Sequence, residues 1–374
     1  MTPLDLTTLR APDEAAAQER AWPAVREAFA AREPVPARRH WRAPVLAAAA
    51  VALVAAAATP PGQAVAGFVR DRIVRDAPRR TTPEPLATRT PGRLLLTTPA
   101  GVWILRGDGS GRLLGGYGAA TWSPNGLFVA VARGDTLAAV EPDTGTVRWR
   151  LETPGPVSDV RWAPRDGFRI AYRTGAQLRV VNGDGTGDRL LARTSGAVAP
   201  EWRPASHVLA FADGAGRIGI VDVDRGSPRY RPAPPGLTAL AYAPDGTLLA
   251  TGARGVVTVP RSGPGRTVLA APVRVVATSP AAPHELVALR PDGAVHRVRA
   301  DGTGDRVVAT VPGATALAWA PDARTILVAE AGRDRWHLID AASGRDRVLE
   351  HIAGRLDPDG LGAAAFPAAV GWCC

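Results

Sequence analysis

Residues 316–349 read ALAWAPDARTILVAEAGRDRWHLIDAASGRDRVL, and near-copies of this stretch recur along most of the chain. The unit has an apolar lead-in, an aromatic followed two residues later by proline (Trp319, Pro321), two short apolar runs, and an Asp-to-Gly turn (Asp340, Gly344). The corner recurs as Trp122-Ser123-Pro124, Trp162-Ala163-Pro164, Trp202-Arg203-Pro204 and Tyr242-Ala243-Pro244. A degenerate copy stands at Thr278-Ser279-Pro280 and a weaker one at Phe366-Pro367, so successive spacings are 40, 40, 40, 36, 41 and 47 residues. A second landmark keeps phase with the first. Asp followed closely by Gly occurs at Asp143, Asp184, Asp224, Asp301 and Asp340, 21 to 23 residues after the preceding corner.

A period near 40 residues carrying four short strands is the pattern of β-propeller blades. Each blade buries both faces against its neighbours, so inner strands become nearly continuous apolar runs, such as 208–211 with 218–221. A large flat side chain fills the wedge between two sheets, proline ends the strand because it has no N–H, and Asp and Gly make the turns. Trp122, Trp162, Trp202, Tyr242 and Trp319 are therefore read as structural blade anchors. The fold class is all-β: a propeller over residues 93–374 with seven four-stranded blades, or six if the tail takes no part. Residues 93–115 form a blade without a lead strand, and residues 361–366 are expected to supply it. Pairing the N- and C-terminal strands would close the ring and remove its open edges.

Residues 1–42 read as a short cytoplasmic segment, with Trp22, Val25 and Phe29 on one face of a helix that Pro23 interrupts. Residues 43–59 carry no charge and read as a transmembrane helix, at the short end of the roughly 20 residues that a span needs. Trp41 with Arg38, Arg39 and Arg42 flanks it, which places the N-terminus in the cytoplasm and the propeller outside. A cleaved signal peptide ending near Ala64-Val65-Ala66 competes, but 42 residues precede the apolar run, more than a usual n-region. Residues 60–92 read as an amphipathic stalk (Val65, Phe68, Val69, Ile73) and a Pro-rich linker.

The corner W-[SA]-P-[ND]-G at 122–126, with Tyr for Trp at 242–246, resembles the W-S-P-D-G box of TolB-type, WD-like propeller repeats. The D-G-T-G turns at 184–187 and 301–304 fit the same resemblance, which covers residues 93 to about 370. It implies a propeller that binds or scaffolds proteins or peptides at one face in the bacterial envelope. The amino-terminal domain of TolB itself has no counterpart, so a Tol-system role is not implied. Tail, span and propeller together look more like single-pass envelope proteins of high-GC bacteria.

The formal charge is +10 and the pI near 10.9, yet all 45 basic residues are Arg. With 40 Gly and 35 Pro this reads as compositional bias, and the arginines are scattered, so no nucleic-acid partner is expected. Cys373 and Cys374 end the chain and give neither a disulfide framework nor a Cys-based metal site. They read as a frayed, exposed terminus, with a vicinal disulfide or an intermolecular pairing as alternatives.

The six His show no ligand spacing, and His296 and His337 read as surface or rim positions on third strands; no metal and no cofactor are expected. D-G-T-G-D at 184–188 and 301–305 starts like a calcium loop. Position 12 then holds Ser195 or Pro312 in place of the required Glu, which favours a hairpin turn. Nucleophile-elbow, P-loop and dinucleotide motifs are absent. The chain is therefore read as no enzyme but a membrane-anchored, extracytoplasmic propeller that binds a protein, peptide or other ligand. The alternatives are an anti-sigma-like transmembrane signalling protein with a propeller sensor and, less favoured, a propeller enzyme with carboxylates in its channel.

Overall fold

Short apolar runs separated by turn residues form 28 strands among the described residues, and hydrogen bonding sorts them into seven antiparallel sheets of four. The computed structural model describes residues 86–373, apart from 165–167, 195, 197, 283 and 357–364. The expected span at 43–59 and its flanks lie outside the described residues. Among the described residues no helix is long and apolar enough to cross a membrane.

Blade 2 shows the plan, with lead strand Ala119–Trp122 followed by Val129–Arg133, Thr136–Val140 and the outer strand Val147–Glu152. The lead strands of blades 3 to 7 are Val157–Trp162, Glu201–Trp202, Ala239–Tyr242, Val275–Thr278 and Ala316–Trp319. Blade 1 takes its lead strand from the other end of the chain: Ala368–Cys373 pairs antiparallel with Arg93–Thr98. That strand also touches the lead strands of blades 7 and 2.

The hydrophobic effect is distributed in the same way. The described residues form seven apolar clusters, and each combines residues of two adjacent blades. The wedge between blades 7 and 1 holds Trp336, Trp103, Leu94 and Leu327, and it also takes up Leu86, Ile352 and Leu356 from outside the sheets.

Three expectations need correction. The lead strand of blade 1 is not 361–366 but Ala368–Cys373, and its corner aromatic is Trp372, not Phe366. Trp372 stands opposite Leu94 in the register that sets Trp319 opposite Ile326 and Trp162 opposite Ile170. Pro367 has no N–H to give a ladder and lies just before the strand. Second, Cys373 is not frayed: it is buried in the lead strand of blade 1, where it pairs with Arg93. Third, the end of the expected linker packs on the propeller. Leu86 is buried, and the Arg89 N–H donates to Gly107 O at 2.8 Å.

A landmark missed in the sequence explains part of the arginine content. Each outer strand begins with Arg or has one within its first two residues or directly before it: Arg112, Arg148, Arg189, Arg229, Arg266, Arg306 and Arg347, spaced 36 to 41 residues apart. Several reach the next blade. Arg112 donates to Asp143 O and to Thr144 O (2.7 Å), Arg189 to Val223 O, and Arg306 to Ala341 O (3.0 Å) and Ala342 O (3.3 Å). Arg347 donates to Ala87 O (3.0 Å) and Thr88 O. A planar guanidinium can span two carbonyls in a fixed fork, which an ammonium group cannot.

The Asp turns are local. Asp184 and Asp301 each accept from the N–H and hydroxyl of the Thr two residues on, at 2.6 to 2.9 Å, as a hairpin turn requires. Corners close through a residue in the left-handed region. This is Gly126 (φ 66) and Gly246 (φ 83) in two blades but Ala323 (φ 53) in blade 7. A Cβ at such a φ costs about 1–2 kcal/mol, part of which glycine returns as unfolded-state entropy. Ala323→Gly is therefore expected to raise stability by about 0.5–1 kcal/mol in urea unfolding; a loss would contradict this account of the corner. Trp372→Ala is expected to cost about 3 kcal/mol, as Trp319→Ala should, and Phe366→Ala, at a residue that packs on the same cluster from outside the strand, less than that. The reverse ranking would restore the weaker corner at Phe366-Pro367.

Candidate functional site

The lead strands are the innermost strands of all seven sheets, so their side chains divide between wedge and axis. In blades 2, 5 and 7 the aromatic and the residue two before it are buried, while the residue between them is half-buried. This alternation follows from the two-residue period of a strand. The half-buried position is Ala277 in blade 6, Ala318 in blade 7 and Gly371 in blade 1, and all three line a cavity of about 930 Å3 on the axis. The cavity lies at the corner end of the lead strands. Its wall is aromatic and proline-rich: Trp122, Trp162, Trp319 and Trp372, with Pro124, Pro164, Pro280 and Pro321.

The five sequence-predicted anchors are all buried, each in the wedge that its blade shares with the preceding one. Trp122, Trp162 and Trp319 come together around the cavity; Trp202 and Tyr242 are not part of its wall. The indoles also tie lead strand to lead strand. Trp202 Nε1 donates to Arg161 O at 2.9 Å and Trp319 Nε1 to Ala277 O at 3.2 Å, in each case the residue before the corner of the preceding blade. Trp122 Nε1 has no acceptor among the described residues. The strand opposite it, Ala368–Cys373, has a register shift between its pairings to Leu95 and Leu96, and a bulge re-aims backbone groups. Burial pushes the Tyr242 phenol up to about 12, so it stays neutral.

The cavity exists because two blades lack bulk. Blade 6 carries Thr278 where five others carry Trp or Tyr at the proline corner, and blade 1 has Ala369 and Gly371 on the axis side of its lead strand. The degenerate corner noticed in the sequence is thus an opening in the wall. The positions equivalent to Ala318 in blades 3 and 4 hold Arg161 and Glu201, whose side chains approach to 3.9 Å and are about one-third exposed. The axis is therefore small and apolar on one side and charged on the other. Glu201 accepts no hydrogen bond among the described residues. Burial raises its pKa above the ordinary glutamate value, and Arg161 offsets only part of that. Although water reaches about a third of the side chain, the surrounding walls desolvate the carboxylate.

Of the two third-strand histidines, His296 is buried and His337 is half-buried. His296 is buried beside Asp305 at 2.7 Å, and His337 sits between Asp346 at 2.6 Å and the buried Glu330 at 3.3 Å. In blade 3 the matching pair is Arg179 with Asp188 at 2.7 Å. Each pair fastens a third strand to its outer strand. Among the described residues no group of three or more His, Cys, Asp or Glu side chains is arranged to hold a metal ion.

No family model matches the chain, and no curated protein matches it in sequence. Solved structures do match in fold. The β-propeller domain of Myceliophteria thermophila Cps50 (Swd1) superposes with a TM-score of 0.52 at 15% identity, over 69% of this chain and 90% of that one. The C-terminal WD40 domain of Sif2 gives 0.52 at 14% identity, over 69% and 79% of the two chains. A chain of the mitotic checkpoint complex gives 0.50 at 22% identity, over 62% and 78%. The fold is a seven-bladed, WD40-type propeller, and at these identities the likeness extends to the fold alone.

The axial carboxylate gives a pH prediction. A glutamate whose folded pKa is raised stabilises the fold fully below its unfolded pKa, and that contribution is lost as pH rises through the folded pKa. Glu201→Gln should therefore be more stable than the parent at pH 7, and the difference should vanish near about pH 4. Thermal unfolding across that window checks it; a Gln variant less stable at pH 7 would mean that the attraction of Arg161 outweighs the cost of burying the carboxylate.

Proposed function

We propose that this chain is a non-enzymatic scaffold that receives an apolar segment of a partner protein in the cavity at the corner end of the axis. The observation that carries the reading is the wall of four indoles and four prolines around about 930 Å3. Indoles supply large, rigid contact area and are enriched where protein interfaces concentrate their binding energy. The volume is at the upper end of what small-ligand pockets offer, enough for a few side chains of a docking segment. Polar groups facing it are few, and Ser123 and Asn125 already engage each other at 2.8 Å. The WD40-type neighbours, one of them a chain of a multiprotein complex, support protein partners.

The scaffold is anchored to the cell membrane by residues 43–59, with residues 1–42 in the cytoplasm and the propeller outside, in the manner of the TolB-type envelope propellers it resembles. The uncharged run with its Arg-rich flank supports this part of the reading.

Two experiments address the two halves. A photo-crosslinking residue at Asn125, on the cavity wall, should capture a partner in cells, whereas one at Asp135, in the turn at the far end of blade 2, should not. Thr278→Trp, which restores the missing corner aromatic, should abolish the Asn125 adduct with the fold intact. Adducts from Asp135 alone, or an Asn125 adduct unaffected by Thr278→Trp, would contradict docking in the cavity. A reporter enzyme fused after Pro78 should read as extracytoplasmic; a cytoplasmic readout would sink the topology.

A further inference from the structure

A second cavity, of about 380 Å3, lies between the outer strand of blade 7 and the segment that leads into blade 1. Its described wall carries Arg89, Arg347, His351 and Arg355, the last already engaged by a partner of its own, and one described carboxylate, Glu350. That carboxylate is engaged by Arg335 at 2.8 Å, from the neighbouring strand of the same blade. Arg347 is fixed by Ala87 O and Thr88 O, which uses two of its five N–H donors. The Arg89 guanidinium has neither a hydrogen-bond acceptor nor a carboxylate partner among the described residues.

The backbone that carries two of these cations has a defined conformation. Arg89 and His351 both sit in the left-handed region (φ 55 and 58), and the Arg89 N–H is tied to Gly107 O at 2.8 Å. Burial and then repulsion from Arg89 hold the Arg347 pKa below its ordinary value, so the two guanidinium groups share one concave space in which the described residues offer them no carboxylate of their own. Gathering like charges in a partly buried site is unfavourable by itself, and an anion that accepts from several of them reverses the sign. The planar fork of arginine matches the oxygens of a phosphate group.

We propose that the pocket formed by Arg89, Arg347 and His351 binds a phosphate group, with Arg89 as its principal ligand. The group is carried either by a small soluble molecule or by a lipid headgroup. The pocket shares no lining residue with the axial cavity, and its occupancy does not depend on the scaffold reading.

Calorimetric titration of the full chain with inorganic phosphate at low salt tests the soluble source. Co-sedimentation with phosphatidylcholine vesicles, with and without phosphatidic acid, tests the lipid source. Arg89→Gln removes a guanidinium that makes no hydrogen bond or ion pair among the described residues, so it should leave thermal unfolding unchanged while weakening binding about tenfold. Arg254→Gln, an exposed arginine elsewhere on the ring, serves as the control and should change nothing. An Arg89-dependent phosphate titration assigns the soluble source. An Arg89-dependent gain on phosphatidic acid without a phosphate titration assigns the headgroup. Absence of both, equal losses in Arg89→Gln and Arg254→Gln, or binding that survives Arg89→Gln would each overturn the proposal.

Discussion

No sheet in this molecule has a core of its own. Each four-stranded blade presents two apolar faces, and the surfaces that cover them are those of its neighbours. The seven wedge clusters are therefore seven shared cores, and every blade contributes to two of them. The wedge between blades 7 and 1 joins sequence-distant parts of the chain and holds two buried tryptophans and three apolar residues recruited from outside the sheets. Arginine forks from an outer strand to the turn before the next one, and indole N–H bonds between lead strands, add polar ties across the same gaps. The bias toward arginine thus serves blade-to-blade bonding, which agrees with basic residues being spread through the repeat.

The same corners that wedge the blades apart also bound the axial cavity. Their side chains do two jobs, and the site arises where the repeat departs from its own rule. Thr278 withholds an aromatic, Gly371 withholds a side chain, and together they leave room beside Trp319 and Trp372. Arg161 and Glu201 break the small-residue lining on the other side and give the axis a polar direction. A regular ring would have a narrower and featureless axis. The opening thus lies beside the irregular blades, while the regular ones repeat the wedge.

The repeat is legible in the sequence because both of its landmarks are residue types that few other contexts demand at a fixed spacing. The seventh corner is not, because Trp372-Cys373-Cys374 lacks the proline and stands 53 residues after Trp319. The register opposite Leu94 identifies it, and register is a property of pairing that no linear pattern contains. The outer-strand arginines recur at a regular interval but are lost among 45 of their kind. His296 and His337 resemble rim residues in the sequence because their partners, Asp305 and Asp346, come into reach only through pairing with the outer strands. The contrast between Glu201 and the alanines around it becomes informative once the lead strands face one another. Leu86 and Thr88 read as linker because proline-rich composition says nothing about what a segment packs on.

The claim on which this account rests is that the corner end of the axis is the face that engages a partner. Hydrogen exchange of the full chain, measured alone and with its captured partner bound, tests it most directly. Slowed exchange concentrated at 122–128, 277–282 and 319–325, around the cavity, is the predicted result. Slowed exchange concentrated instead at the opposite turns, 133–136, 252–255 and 290–294, would contradict it.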